Sequence, residues 1–415
     1  MATSGMPRPP SPIRRAWANR GFRRLFLAHT VSRWGDTFNT VALVVLVFGL
    51  TGSGARVAAT VGFEIAPVLL FGLAAGAAAD RLPRRRVMVA ADVGRALVAL
   101  ALVAGQSRLW AVYAAAFGLS ALTQLFNPAA ASTVADLVDE ADLVGANSAL
   151  WSAAVVSQVA LAPLAGVIVA VAGPGPAFVV NAATFAVSAM LLRGLAVPDR
   201  PSSPQAPLGR RFHLVREGVA AVRNSPRLRA LAGVQVLAAL SAGATSALLV
   251  VLAERHLGAG PGRFGLLLAA IAVGAGFGPL VLQRLVRDVR RPAFLFGPYL
   301  LRGIVDLVLA ASSSFAVAAA ALGAYGVGTS TGAVAYQSYL QTVVPERTRG
   351  RTFAFFDVVW QSGRLASVVV GGVLADAIGI RAVYASGGVL LLGAGAFGWA
   401  RLGRLDSPEL QRLEE

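Results

Sequence analysis

Two charged side chains, Arg33 and Asp36, interrupt an apolar stretch near the N-terminus. They belong to SRWGDTFNT (32–40), which lies between FLAHTV and VALVVLVFGL. A charge at the centre of a bilayer costs about 3 kcal/mol or more. Burial favours the neutral form of Asp36 and a nearby cation favours its carboxylate, so this acid could exchange a proton as its surroundings change. We predict that Asp36 is a proton-binding acid and that Arg33 is its charge partner or belongs to a gate that opens and closes access to it. The alternative is a permanent ion pair that orders the segment.

Four further acids fall within apolar segments of the chain. Glu64 and Asp357 are the next candidates for proton coupling, because ionisable residues inside a membrane are functional candidates by default. The other two acids each have an arginine one helical turn away: Asp92 with Arg95, and Asp306 with Arg302.

Several other chemistries are excluded by composition. The chain has no cysteine, and its three histidines are far apart and form no motif. It has no lysine, so an ATP-binding P-loop is impossible. No nucleophile–base pair appears either, so we expect no enzyme activity, no metal and no cofactor. The net charge of +17 rests on arginine alone, and we expect no nucleic-acid partner.

The composition is that of a polytopic membrane protein. Of the 415 residues, 56% are hydrophobic and 14% are charged, and the mean hydropathy is +0.67. Apolar runs of spanning length recur along the whole chain, which predicts an all-α protein with twelve transmembrane helices. The predicted segments are 24–49, 56–79, 87–106, 109–133, 143–171, 175–197, 229–253, 263–283, 292–311, 315–341, 351–374 and 380–400.

Arginine predicts the orientation of these segments. With the N-terminus inside, 28 arginines fall on the cytoplasmic side and 5 in the outer loops. This asymmetry is the positive-inside signal of a multi-pass protein of the cell membrane, and it places both termini in the cytoplasm.

A polar stretch, PDRPSSPQAPLGRR (198–211), divides the chain. We predict an N-terminal six-helix half over 1–197, a cytoplasmic linker over 198–228 and a C-terminal six-helix half over 229–415. The halves resemble each other at a shift near 205 residues. A repeat of six plus six spans is typical of transporters whose substrate path runs between the halves.

GAAADRLPRRRVM (76–88) follows segment 2 and resembles the loop 2–3 signature of the major facilitator superfamily. Pro83 stands where that family usually has glycine. The residues that match the signature, and that the resemblance implicates in gating, are Gly76, Asp80, Arg81, Arg84 and Arg85.

A second stretch, APLAG (162–166) in segment 5, resembles a weakened antiporter motif in which Ala162 replaces the first glycine. The resemblance implicates Pro163 and Gly166 in gating; the alternative is an ordinary proline kink. NPAAASTVADLVDEADLVGANSA (127–149) and VPERTRGRTFAFFD (344–357) resemble the drug–proton antiporter branch that includes macrolide and enterobactin exporters. The arginine that many of these proteins carry in segment 4 is missing here.

The resemblance implies two six-helix bundles, with segments 1, 4, 7 and 10 around a central cavity. Segments 3 and 9 then lie outside, which makes Asp92 and Asp306 members of structural pairs and favours Asp36. The candidate substrate-binding residues on the cavity segments are Gln124, Asn127, Gln235, Tyr325, Tyr336 and Gln337.

We predict proton-coupled efflux of a hydrophobic or amphiphilic small molecule, such as a drug, a natural product or a siderophore, by a monomer in the lipid bilayer. Few polar groups and several aromatic residues in the cavity segments suit such compounds. Uptake symport and a membrane receptor are the alternatives.

Overall fold

The structure is a computed structural model that describes residues 12–196, 218–285, 292–344 and 346–405. Side chains are described for these residues except 12–14, 72–81, 282–285, 346–347 and 403–405. Twelve helices in this part of the chain are long and apolar enough to cross a membrane, which confirms the predicted fold class. They are α1 Arg20–Thr51, α2 Gly54–Arg81, α3 Arg84–Gly105, α4 Leu109–Leu137, α5 Leu143–Ala172, α6 Gly175–Arg193, α7 Pro226–Ala247, α8 Pro261–Leu285, α9 Pro292–Ala311, α10 Phe315–Val343, α11 Glu346–Ala377 and α12 Ile380–Leu405.

Short connections make successive helices antiparallel, as is usual in bundles. The start of α1 and the end of α6 therefore lie together, and the Arg24 guanidinium donates a hydrogen bond to the Gly194 carbonyl. We call the end of the bundle that holds this contact the terminal end, and the opposite end, which carries the α1–α2 and α11–α12 connections, the far end.

A short helix, Pro12–Ala18, precedes α1 at the terminal end. Arg15 on this helix donates to both carboxylate oxygens of Asp142, at 2.9 and 3.1 Å. The hydrogen bond with Asp142 raises the pKa of Arg15. Asn19 then caps α1, since its side-chain oxygen accepts from the Gly21 and Phe22 amides.

Segment 7 is the one place where a predicted segment is broken within the described residues: α7 ends at Ala247 and a short helix, Leu249–Arg255, continues it. Hydrogen bonds explain the break. The Tyr384 hydroxyl donates to the Thr245 carbonyl at 2.6 Å. Thr245 and Ser246 bond back to carbonyls four residues earlier, which bends helices.

The two halves have the same internal packing. In the first half, α1 packs against α5 and α6, α3 against α4 and α6, and α2 against α4. In the second half the same pairs recur six helices later: α7 with α11 and α12, α9 with α10 and α12, and α8 with α10. The halves meet through α2 with α11 and α5 with α8. The predicted pair of six-helix bundles is thus confirmed, while the proposed boundary residues stay a prediction because most of the linker lies outside the described residues.

Large apolar side chains cover the outside of the bundle. Leu97, Trp110 and Val171 are more than half exposed, although a soluble protein rarely exposes extended apolar surface. A surface of this kind is expected where lipid, and not water, surrounds the helices.

Candidate functional site

A cavity of about 720 Å³ lies between the two halves, with walls from α1, α5, α8 and α10. Arg33 and Asp36 line it from α1. Asp36 is half-buried and Arg33 is exposed. Arg33 lies near enough for its charge to act on Asp36, yet within the described part of the chain no ion pair joins the two side chains. We call this space the central cavity.

A second cavity, of about 480 Å³, lies within the C-terminal half between α7, α9, α10 and α11. We call it the C-half cavity. Gln235, Arg302 and Asp357 line it together with aromatic side chains that include Tyr336 and Trp360. The Gln235 Oε1 and Tyr336 Oη atoms are buried and bond to no other described group. Such unpaired polar atoms favour a ligand that supplies hydrogen bonds.

The two cavities share one wall. Thr329 and Ala333 on α10 line both. The two cavities are therefore separated by α10, and a molecule in either cavity would contact this helix.

A charged pair faces across the junction of the halves. Glu64 on α2 lies within electrostatic range of Arg364 on α11, and of Asp36. Arg364 also donates to the Gln361 side chain at 3.2 Å. Asp36 on α1 and Glu64 on α2, both predicted for proton coupling, are thus near each other. The charge of Arg364 in the opposite half acts on Glu64.

The halves are held together at the far end by Asp376, the penultimate residue of α11. Its carboxylate accepts hydrogen bonds from the Ser53 hydroxyl at 2.6 Å and from the Gly54 and Ala55 amides at 2.8 and 3.0 Å. It therefore caps α2 from the opposite half. Arg255 pairs with Asp376 at 3.1 Å and also donates to the Gly52 carbonyl. We call these contacts the far-end clamp.

Close backbone packing surrounds the clamp. A Cβ added to Gly372 on α11 would collide with Ala58 and Ala55 on α2. On the other side of the bundle, a Cβ added to Gly265 on α8 would collide with the Ala162 carbonyl and Pro163 on α5. Both junctions between the halves are tight, as small residues allow.

Comparison with known proteins identifies the chain. The family of transmembrane secretion effectors matches residues 11–414. The chain belongs to this branch of the major facilitator superfamily. Among similar proteins, the multidrug efflux pump Tap of Mycolicibacterium fortuitum is 28% identical over 403 residues, with 92% of this chain and 96% of Tap covered. YfiS of Bacillus subtilis, a transporter of the same superfamily without an assigned function, is 27% identical, with 90% and 91% covered.

A solved structure supports the same fold. A bacterial homologue of the human lysosomal transporter Spinster, in an inward-facing and unoccupied conformation, superposes with a TM-score of 0.72. It is 17% identical and covers 95% of this chain and 98% of its own. Together with the family match over residues 11–414 and the twelve spanning helices of the described part, this shared fold identifies the protein as a multi-pass membrane transporter of the major facilitator superfamily.

The predicted gating residues of this transporter divide into three groups. Pro163 and Gly166 lie at the α5–α8 junction, where a Cβ on Gly166 would collide with the Pro261 carbonyl. Arg84 pairs with Asp136 at the end of α4, and Arg85 is half-buried. The remaining residues of the loop signature, Gly76, Asp80 and Arg81, have side chains outside the described part, so their role stays a prediction.

The structure brings some predicted substrate residues together. Gln235, Tyr336 and Gln337 line the C-half cavity. Tyr325 lies beside that cavity, where it accepts a hydrogen bond from Arg302 at 3.0 Å. The two candidates on α4 belong to neither cavity wall: Gln124 is half-buried and Asn127 is exposed.

Sequence reasoning missed Arg302, Arg364 and Asp376. By spacing alone Arg302 is a helical neighbour of Asp306, and Asp376 lies two residues beyond predicted segment 11, where acids are common. A signal for Asp376 existed, because Ser53 and Gly54 form a helix start that suits a negative partner. The partner itself is 322 residues away from Gly54.

Proposed function

We propose that this transporter exports a hydrophobic or amphiphilic small molecule in exchange for protons, by alternating access. The observation that carries the proposal is the central cavity, which lies between two tightly joined halves and holds an acid, Asp36, with water-accessible surface. The named function of Tap, multidrug efflux, supports the direction and the class of substrate.

Orientation follows from arginine. We infer that both termini are cytoplasmic, so the far end faces outside. The far-end clamp then closes the outer gate, which corresponds to an inward-facing state like that of the Spinster homologue. Single cysteines test this in a chain that has none of its own. An impermeant thiol reagent on intact cells should label Ser53→Cys and Gly260→Cys but not Ser203→Cys; the opposite pattern would overturn this orientation.

The C-half cavity has the character of a binding site for amphiphilic compounds. Phe353, Phe356 and Trp360 supply apolar and aromatic surface, whereas Gln235 and Tyr336 supply unpaired polar atoms. Ligand sites commonly combine a mostly apolar wall with a few placed polar groups. We therefore place Gln235, Tyr336 and Gln337 in contact with substrate.

Asp36 is the proposed proton carrier. It faces the central cavity, and Arg33 can approach or leave it, since no ion pair holds the two together in this state. Glu64 and Asp357 are the alternative carriers. When the outer gate opens, the far-end clamp must break, and we propose that Asp80 then closes the terminal end by binding the start of α11.

Purified protein in liposomes tests the coupling. With ethidium as the probe, an imposed pH gradient should drive uphill movement of dye toward the compartment that supplies protons, with protons moving the other way. Dye and protons moving together would indicate symport, and dye movement unaffected by the gradient would overturn proton coupling.

Asp36→Asn should abolish this uphill movement while ethidium still binds, because the amide cannot exchange a proton. Thr40→Ser, which alters the same cavity wall without removing a titratable group, is the matched control. Normal proton-driven transport by Asp36→Asn would move the carrier to Glu64 or Asp357.

A further inference from the structure

Asp306 on α9 is a buried acid that forms no ion pair with any described residue. The side chain is 1% exposed. Neither of its carboxylate oxygens accepts a hydrogen bond from any described group. An ionised carboxylate in such a place is strongly disfavoured, because it has lost water and gained no donor in exchange. The neutral acid is the form that these surroundings accept.

The arginine that could neutralise Asp306 is bound elsewhere. Arg302 precedes it by four residues, so the two side chains lie on one face of α9. The Arg302 guanidinium instead donates to the Tyr325 hydroxyl at 3.0 Å and lies 4.8 Å from the centre of that ring. It also lines the C-half cavity. Among the described residues, no ion pair joins Arg302 to Asp306.

Among the described residues of the helices around this part of α9, no second cation forms an ion pair with Asp306. Ser241 on α7 lies beside Asp306, and the Tyr384 hydroxyl on α12 is committed to the Thr245 carbonyl. On α10 the facing group is Tyr325, and Arg364 on α11 lies within electrostatic range of that tyrosine. At the end of α12, Arg381 donates to the Ala310 carbonyl.

We propose that Asp306 is a proton-binding site of the C-terminal half, occupied in the conformation described here. When Asp306 loses this proton to solvent, Arg302, which lines the C-half cavity, leaves Tyr325 and pairs with the carboxylate. The protonation state of Asp306 thereby sets whether a cation faces the cavity. Its use in coupling rests on the proposed function, but the protonation itself does not.

Infrared spectroscopy of the purified full-length protein tests the site without any substrate. The carbonyl stretch of a protonated carboxylic acid is absent from ionised carboxylates. The spectrum of the unaltered protein minus that of Asp306→Asn, at neutral pH, should contain this band. A difference spectrum that contains carboxylate bands alone would overturn the proposal.

Tyr325→Phe tests the link to Arg302 and keeps Asp306 in place, so it serves even where Asp306→Asn does not fold. Loss of the hydroxyl frees Arg302 to pair with Asp306, and the acid band should disappear at a lower pH than in the unaltered protein. An unchanged titration would overturn the switch. Tyr113→Phe, a tyrosine distant from α9 in the first half, is the control and should leave the band unchanged.

The two proposals can fail separately. An acid band from Asp306 in a protein that moves no ethidium against a gradient would support the proton site and reject export of that class. Proton-driven export without the band would support the proposed function and reject the site.

Discussion

Arg95 and Arg302 occupy equivalent places in the two halves, as the twelfth residue of α3 and the eleventh of α9, yet their surroundings differ. Arg95 pairs with Asp92 and lies 4.5 and 4.4 Å from the ring centres of Phe126 and Phe185. Arg302 has left the acid on its own helix and faces a tyrosine and a cavity. The first arginine is enclosed by its acid and two aromatic rings, whereas the second contacts one tyrosine and lines a cavity.

The acids show the same contrast. Asp92 is fully buried and accepts a hydrogen bond from Ser188 at 2.6 Å in addition to its arginine. Asp306 accepts none among the described groups. The sequence resemblance predicted structural pairs for both acids; the structure shows a pair for Asp92, and the pair expected for Asp306 is wrong in this conformation. Helices that correspond in the two halves can therefore hold one paired acid and one acid without an ion pair.

The largest expected difference is in stability. Arg95→Gln leaves the Asp92 carboxylate buried without its cation, and breaking a buried ion pair in this way costs about 3–5 kcal/mol. Arg302→Gln removes one hydrogen bond and a ring contact, for which we expect about 1–2 kcal/mol. Unfolding of both variants in detergent measures the two costs. Equal costs would mean that the C-terminal arginine is as structural as its counterpart.

Two serine variants compare the hydrogen bonding of Asp92 with that of Asp306, and we expect smaller losses of stability from them than from the arginine variants. Ser188→Ala removes a hydrogen bond to a charged group, which is worth about 1.5–3 kcal/mol. Ser241→Ala, the matched change beside Asp306, removes a hydroxyl that bonds to no described group, and its effect should stay within about 0.5 kcal/mol. A large loss for Ser241→Ala would show that this serine stabilises Asp306.

The smallest effect concerns the room that Arg302 needs. A Cβ on Gly328 would lie 3.0 Å from the Arg302 Cγ and 3.3 Å from the Pro298 carbonyl oxygen. Gly328→Ala should cost about 1 kcal/mol through crowding and slow transport. Gly393→Ala on α12, where a Cβ meets nothing within 4 Å, is the control. Unchanged transport by Gly328→Ala would indicate that Arg302 need not move.

Most of the fold could be predicted from the sequence, because a membrane forces each apolar segment into a helix that satisfies its own backbone. The break after Ala247 could not, since it depends on a hydroxyl 139 residues away, that of Tyr384. Residue type and segment were enough to select Asp36 and Gln235, which line the two cavities, and their roles stay predictions. The unpaired state of Asp306 depends on the direction of the Arg302 side chain, which local sequence does not encode.

The salt concentration of the surrounding solution acts on the far-end clamp. Arg255 and Asp376 are 38% and 30% exposed at the side chain, so dissolved ions reach them. The Debye length falls from about 10 Å at 0.1 M salt to about 3 Å at 1 M. If the far end faces outside, external salinity weakens the clamp and shifts the transporter toward its outward-open state, while the enclosed Asp92–Arg95 pair is unaffected. The working cycle of this protein would then depend on the ionic strength outside the cell.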